Sequence, residues 1–163
     1  MFQKEQQKNK GRSFSDKPKE FEQKILELAR VTRVTSGGKR MKFRACVIVG
    51  DGKGRVGQAV AKGNDVTKAI NKAAMKAEKD LMTIPLRNET IPHEIREKYG
   101  AAVVLLKPAP KGTGIKAGGA MRSVFEIAGV PNVIGKILGS KNKINISRAT
   151  INALKKLRLE KRK

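Results

Sequence analysis

The chain has 163 residues, of which 37 are Lys or Arg and 14 are Asp or Glu, a net charge of +23. A hydrophobic share of 39% permits a buried core and argues against wholesale disorder, and an aromatic share of 4% with no Trp makes that core aliphatic. No apolar run reaches the ~18–20 residues that cross a bilayer, the first ten residues lack a signal-peptide stretch, and Cys46 has no second cysteine to pair with, so membrane-spanning, secreted and disulfide-stapled classes are disfavoured and a reducing cytosol is expected.

Residues 1–19 are polar and basic and are expected to be a flexible arm. A first domain is expected over residues 20–84. Ile25 to Thr35, rich in Leu, Val and Thr, reads as a strand. Ser36-Gly37-Gly38-Lys39 reads as a hairpin connection, because glycine tolerates positive φ. In Met41 to Val49 one parity holds Met41, Phe43, Ala45, Val47 and Val49, and the other holds Lys42, Arg44, Cys46 and Ile48. That period of two marks a half-buried strand whose second face begins with two cations and ends apolar. Gly50 to Gly54 is a second turn, and Arg55 to Lys62 a third strand. A helix follows, with Asn64 or Asp65 as N-cap; Val66, Ile70, Ala73, Ala77 and Leu81 line one side and Lys68, Lys72, Lys76 and Lys79 another. Three antiparallel strands with one helix leave a sheet face for something else to cover.

Pro85 and Pro92 suggest a boundary near residues 84–86. A second, α/β domain is expected over residues 85–155, reading strand–helix–strand–helix. Ile91 to Leu106 contains a strand region, clearest at Ala101 to Leu106. Lys107 to Gly119 reads as a Gly/Pro/Lys loop, Ala120 to Ala128 as a helix ended by Gly129-Val130-Pro131, Asn132 to Leu138 as a strand, and Ile144 to about Leu159 as a helix. Residues 156–163 form a short basic tail.

Positive charge runs through the whole chain: residues 1–100 carry +11 and residues 101–163 carry +12. Such self-repulsion is relieved by a polyanion. An anionic membrane usually recruits a basic amphipathic helix, and Leu154 to Lys163 is only a weak version of one, so nucleic acid is favoured. With almost no aromatic side chains to stack bases, contact with phosphates and shape is favoured over single-strand recognition.

Gly52-Lys53-Gly54-Arg55-Val56-Gly57 matches G-x-G-x-x-G, but that pattern holds a pyrophosphate only where a helix begins directly after the glycines. Here a Val/Ala strand follows, so the segment reads as a turn, with Lys53 and Arg55 placed for phosphate contact. The tip Ser36, Gly37, Gly38, Lys39 and Arg40 lets backbone approach a groove with cations alongside, and Arg33 lies on the strand leading into it. Lys111 and Lys116 sit in the glycine-rich loop before a helix, where backbone amides can form an anion nest. Catalytic and metal-ligating residues are not expected: His93 is the only histidine, Cys46 reads as a packing residue, and Glu94 and Glu97 alternate with Arg96 and Lys98.

Taken in order, these segments resemble the S5 family of bacterial small-subunit ribosomal proteins. The resemblance is carried by Gly38 through Gly57 with Asp65-Val66 and Ala69-Ile70, by Lys111 to Ile115 and Gly118 to Arg122, and by Ile127 to Val130, Gly139-Ser140, Asn142 and Arg148 to Thr150. It spans about residues 20–155. The stretch Gln58 to Lys62 is less glycine- and aromatic-rich than the family pattern.

The resemblance implies an α+β protein: a double-stranded-RNA-binding-like three-stranded sheet plus helix, then a small α/β domain with a left-handed β-α-β crossover. It implies a non-enzymatic structural constituent of the cytoplasmic small subunit, one copy each, bound to ribosomal RNA without cofactor or membrane. It further implies placement beside ribosomal proteins S4 and S8 near the messenger RNA entrance, with a part in assembly, decoding accuracy and translocation. The tip Thr35 to Arg40 would lie near the spectinomycin site, and Gly112, Gly114 and Arg122 at the boundary with S4. An RNA chaperone or assembly factor that leaves the finished particle is the alternative; a nucleotide-dependent enzyme resting on Gly52 to Gly57 is a third reading.

Overall fold

The computed structural model describes residues 21–158. The arm expected over residues 1–19 and most of the tail expected over 156–163 lie outside them. Two four-stranded sheets and three helices follow one another along the chain.

The first sheet is built from β1 (Glu22–Thr35), β2 (Gly38–Gly50), β3 (Arg55–Gly63) and a two-residue β4 (Met82–Thr83), in that spatial order and antiparallel throughout. The expected three strands therefore become four. Met82–Thr83 is too short to show any alternation and forms only because the chain returns past Arg55 and Val56. β1 also starts at Glu22, before its apolar run, because β2 offers partners as far as Gly50. A bulge between Ile25 and Glu27 shifts its register.

Helix α1 (Val66–Lys79) covers one face of this sheet. Its buried residues are Ala69, Ala73, Ala74 and Ala77, facing Ala45, Val47, Val49, Ala59 and Ala61. Small side chains on both surfaces let the helix lie close. A Cβ on Gly63 would stand 2.7 Å from the Ala69 nitrogen, and one on Gly57 would strike the Ala77 carbonyl. Asp65 is the N-cap by backbone geometry, but its carboxylate pairs with Lys68 at 3.3 Å and bonds no amide.

The second sheet has the order β5–β6–β8–β7, from β5 (Ile95–Tyr99), β6 (Ala102–Pro108), β7 (Ile115–Lys116) and β8 (Val133–Ile137). The strand region expected over Ile91 to Leu106 divides into β5 and β6 at the turn around Gly100, and β7 is a further strand that the strand–helix–strand–helix reading lacks. β5 alternates cations with partly buried residues, and β7 is two residues inside a glycine-rich loop. β7 and β8 are parallel and joined by α2 (Gly119–Ala128), which makes a β-α-β unit. Helix α3 (Lys143–Lys156) begins at Asn142, whose Oδ1 accepts from the Ile144 amide at 3.0 Å. It stops short of Leu159 because Leu157 turns to extended backbone and is buried in the core.

That core belongs to both sheets. Ile48 and Val56 of the first sheet are fully buried against Val104, Leu106, Met121, Val124, Phe125, Ile127, Ile146 and Leu154 of the second half. The open face of the first sheet is thus covered by α2 and α3. Cys46 lies on the same face, buried, with its Sγ accepting from Gln58 Nε2 at 3.3 Å; burial pushes its thiol pKa up.

A shared core predicts shared stability. Ile48→Ala is expected to cost about 2–5 kcal/mol. In native-state hydrogen exchange the amides of β2 and β6 should lose protection together; loss confined to the first sheet would show two independent units.

Candidate nucleic-acid interface

β3 ends at Gly63, opposite Phe43, so β1 and β2 run on without a third strand. Thr32 to Lys42 is exposed throughout. Five residues of each strand, Val31–Thr35 and Gly38–Lys42, therefore form a two-stranded arm reaching about 17 Å past the sheet. The turn at its tip is Ser36–Gly37, and Thr35 already pairs with Gly38, which belongs to β2 and has φ 131°. The Thr35 hydroxyl donates to the Gly38 carbonyl at 3.0 Å.

Register sorts the arm's side chains. Arg33 stands directly opposite Arg40, Val31 opposite Lys42 and Ala29 opposite Arg44, all on the face that continues from Cys46 and Ile48. The other face carries Arg30, Thr32, Val34, Lys39, Met41 and Phe43. Like charges directly opposite each other destabilise a sheet. Arg44 has a carboxylate, Glu27, at 2.8 Å. Arg30, Arg33, Lys39, Arg40 and Lys42 have no salt bridge among the described residues. Arg30 and Lys42 were not among the sequence candidates. Lys42 shares the parity of Arg40, which was a usable signal; Arg30 needed the register.

Lys53 and Arg55 lie at the far end of β2, some 40 Å from the tip along a strand of this length. They do not join the arm's cations in one patch. The intervening turn faces inward. Gly52 and Gly54 donate their amides to the Ile127 and Ala128 carbonyls at 3.1 and 2.8 Å, and the Gly54 carbonyl accepts from Ile84 at 2.8 Å. The helix that the G-x-G-x-x-G motif meets is thus the C-terminus of α2, not an N-terminus able to hold phosphate. Gly129, with φ 72°, closes that end, and any Cβ on it would strike Gly52.

Asp51 holds this turn together. Its side chain is only 6% exposed, and its carboxylate accepts from the amides of Lys53 and Arg55 at 2.8 and 3.0 Å and from Arg55 Nε at 2.6 Å. Desolvation works to raise its pKa, but these hydrogen bonds and the Arg55 charge outweigh it and lower the value to about 2. The Arg55 guanidinium is committed to Asp51 and lies 5.5 Å over the Phe21 ring. Lys53 is the turn's cation without a salt bridge among the described residues.

Lys111 pairs with Glu89 at 3.4 Å beside Gly112 and Gly114, which adopt φ 85° and 70°. Buried Asn132 steadies this loop, its Oδ1 accepting from the Gly114 amide at 3.1 Å. β7 separates Lys111 from the start of α2, so loop and helix do not form one anion nest, and Lys116 lies on β7. Arg122 pairs with Glu126 at 3.1 Å, and Glu126 also accepts from Lys24 of β1 at 2.6 Å. The Lys24 bond chiefly holds the Glu126 carboxyl below its usual range. His93 is exposed in the connector before β5. Glu94 and Glu97 pair with Lys107 and Lys156, not with their neighbours Arg96 and Lys98.

An α+β scaffold that presents unpaired cations on a projecting ribbon has the electrostatic footprint of a nucleic-acid-binding protein. Comparison with known families makes this particular. The family described as ribosomal protein S5, N-terminal domain, matches residues 21–85, and that described as ribosomal protein S5, C-terminal domain, matches residues 97–162. The chain belongs to the ribosomal protein S5 family: it is an RNA-binding ribosomal protein of the small subunit, a structural component of the translating ribonucleoprotein.

The Asp51 geometry carries a prediction. A group whose folded-state pKa is depressed stabilises the fold fully above its unfolded value near 4 and loses that contribution as pH falls toward 2. Asp51→Ala should cost about 1–3 kcal/mol near neutral pH by removing the charged acceptor of the Lys53 and Arg55 amides. Urea midpoints measured from pH 6 to 2 should show a shallower acid decline in this variant than in the parent chain.

Proposed function

We propose that this protein holds folded ribosomal RNA by inserting the β1–β2 arm against its phosphates. One observation carries the reading: Arg33 faces Arg40 across the ribbon, with Lys42 beside them and no carboxylate paired to any of the three among the described residues. An isolated two-stranded ribbon is marginal in water, and opposed cations weaken it further. Phosphates between the strands' guanidinium groups remove that repulsion and order the arm. Ser36, Gly37 and Gly38 let the tip approach backbone to backbone, with Lys39 alongside. Lys53, Lys111 and Lys116 supply further phosphate contacts away from the arm, and Arg55 presents what its Asp51 pairing leaves free.

The finer reading follows the family. The first sheet with α1 is double-stranded-RNA-binding-like, and the β7–α2–β8 unit is a left-handed crossover, against the usual hand. One copy sits in each cytoplasmic small subunit beside S4 and S8, near the messenger RNA entrance. There it supports assembly, decoding accuracy and translocation, with Gly112, Gly114 and Arg122 at the S4 boundary. The pairing of Arg122 with Glu126, and of Glu126 with Lys24, supports a rigid surface at that place.

Lys39→Glu with Arg40→Glu should lower incorporation into small subunits while leaving the circular dichroism melt within about 0.5 kcal/mol of the parent chain, as surface changes do. Undiminished incorporation would remove the arm from the interface. If about 8 phosphates are neutralised, log K for small-subunit RNA should fall against log salt with a slope of about −6 to −7. A titration series in potassium chloride measures it, and a slope near zero would exclude phosphate neutralisation.

A further inference from the structure

Away from the arm, the two halves of the chain enclose a cleft of about 220 Å³. Gln58 of β3 and Asp80 at the end of α1 line it from one side, and Tyr99 at the end of β5 with Arg148, Ile151 and Asn152 of α3 from the other. Gln58 pairs with Ile48 in the sheet, on the face that α2 and α3 cover, and is only 7% exposed. Its Nε2 donates to the Cys46 Sγ at 3.3 Å, a weak acceptor, and its Oε1 accepts from no donor among the described residues. Arg148 lies 5.6 Å over the Tyr99 ring and donates to the Tyr99 hydroxyl at 2.8 Å, which fixes the guanidinium at the wall. Asp80 stands at the C-terminal end of α1, where the helix dipole disfavours a carboxylate. Neither Asp80 nor Arg148 has a salt bridge among the described residues, so two opposite charges line one cleft without closing on each other.

We infer that this cleft binds a single guanine base. The inference goes beyond the arm, which meets phosphates and reads no base. An ionised carboxylate only accepts, and guanine alone among the four bases sets two donors, N1–H and the N2 amino group, side by side to meet it. The adjoining O6 and N7 accept from a guanidinium, the commonest base-specific pairing of arginine. Asp80 and Arg148 supply those two partners from opposite sides of the cleft, and the Gln58 and Asn152 amides add donors and acceptors between them. Recognition is by edge and not by stacking, so the scarcity of rings does not bear on it. A bare phosphate would be repelled by Asp80, and a metal ion would find one carboxylate beside a cation. Gln58 belongs to the stretch that departs from the family pattern, so this polar lining is the chain's own. The base reaches the cleft on a free guanine nucleotide or on a nucleotide turned out of an RNA strand.

The test titrates guanosine, which carries no phosphate for the chain's other cations to hold, into the isotope-labelled full chain. Saturable shifts of the Gln58 side-chain amide and the Arg148 Nε–H are expected, with adenosine about tenfold weaker. Asp80→Asn should weaken guanosine about tenfold while leaving the rest of the amide spectrum in place, and Lys39→Glu with Arg40→Glu should leave guanosine affinity unchanged. A second arm treats small subunits carrying the chain with kethoxal, which modifies guanine at N1 and N2. One RNA guanine that is protected with the parent chain and reactive with Asp80→Asn assigns the cleft to RNA; guanosine binding without such a guanine assigns it to a free nucleotide. Adenosine binding as tightly as guanosine would overturn the guanine site, and so would the absence of both the guanosine shifts and the kethoxal change. Either result leaves the arm's salt-dependent RNA binding intact, since that binding is measured separately.

Discussion

Everything the surface does depends on how the turn Gly50–Gly54 meets the end of α2. The last four carbonyls of a helix have no partner inside it. Here the amides of Gly129 and Val130 close two of them, on Glu126 and Phe125, in a Schellman arrangement. The amides of Gly52 and Gly54, from the other sheet, close the remaining two on Ile127 and Ala128. The contact is backbone on backbone, so it tolerates no Cβ on Gly129, and one on Gly50 would stand 2.6 Å from the Ile127 carbonyl. Asp51 fixes the turn from within. Ile48 and Val56 then complete the join by entering a core that is mostly the second half's. The two sheets are one mechanical body, and the arm is a lever with a fixed base.

That fixed base explains how the arm can carry a pairing that weakens it. Arg33 opposite Arg40 costs stability in the free chain, yet the strands are anchored over the length from Glu22 to Arg30 and from Phe43 to Gly50. Repulsion at the tip is therefore absorbed without unzipping the sheet. On the body Arg44, Arg55, Arg122 and Lys156 each have a carboxylate within 3.1 Å, whereas Lys53, Arg96, Lys98, Lys116 and Lys136 have none among the described residues. What sets the ribbon apart is that its cations oppose one another in register, Arg33 against Arg40.

Much of this was legible in the residues, and the failures have physical causes. The alternation in Met41 to Val49 revealed β2 and both its faces, including the change from cationic to apolar along Lys42, Arg44, Cys46 and Ile48. That change is the point where the covering helices end and the arm begins, but locating it needed the register with β3. β4 and β7 escaped because two residues carry no period. β5 was not separated from β6 within the region Ile91 to Leu106, because Arg96 and Lys98 point outward and leave only Ile95 and Tyr99 as signals. The glycine motif was rightly separated from a nucleotide loop, but its cations read as surface features. Nothing local says that Gly52 and Gly54 meet a helix end some 75 residues later in the chain. Lys53 and Arg55 follow the arm's cations closely in sequence, yet β2 sets the two groups at opposite ends.

The scarcity of aromatic side chains, 4% of the chain, shapes the outer surfaces. A base-stacking platform needs rings, so specificity for RNA must come from where cations stand, and position is reliable only on a rigid support. An all-aliphatic core of branched side chains around Phe125, closed at 0–2% exposure for its largest members, supplies that rigidity. The same aliphatic economy leaves Val103, Leu105, Ile134 and Leu138 on the far sheet face, where no helix of the chain covers them. Ile48 and Val56 tie the sheet that carries the arm to the core of the second half. A support of that kind fixes where the arm's cations stand.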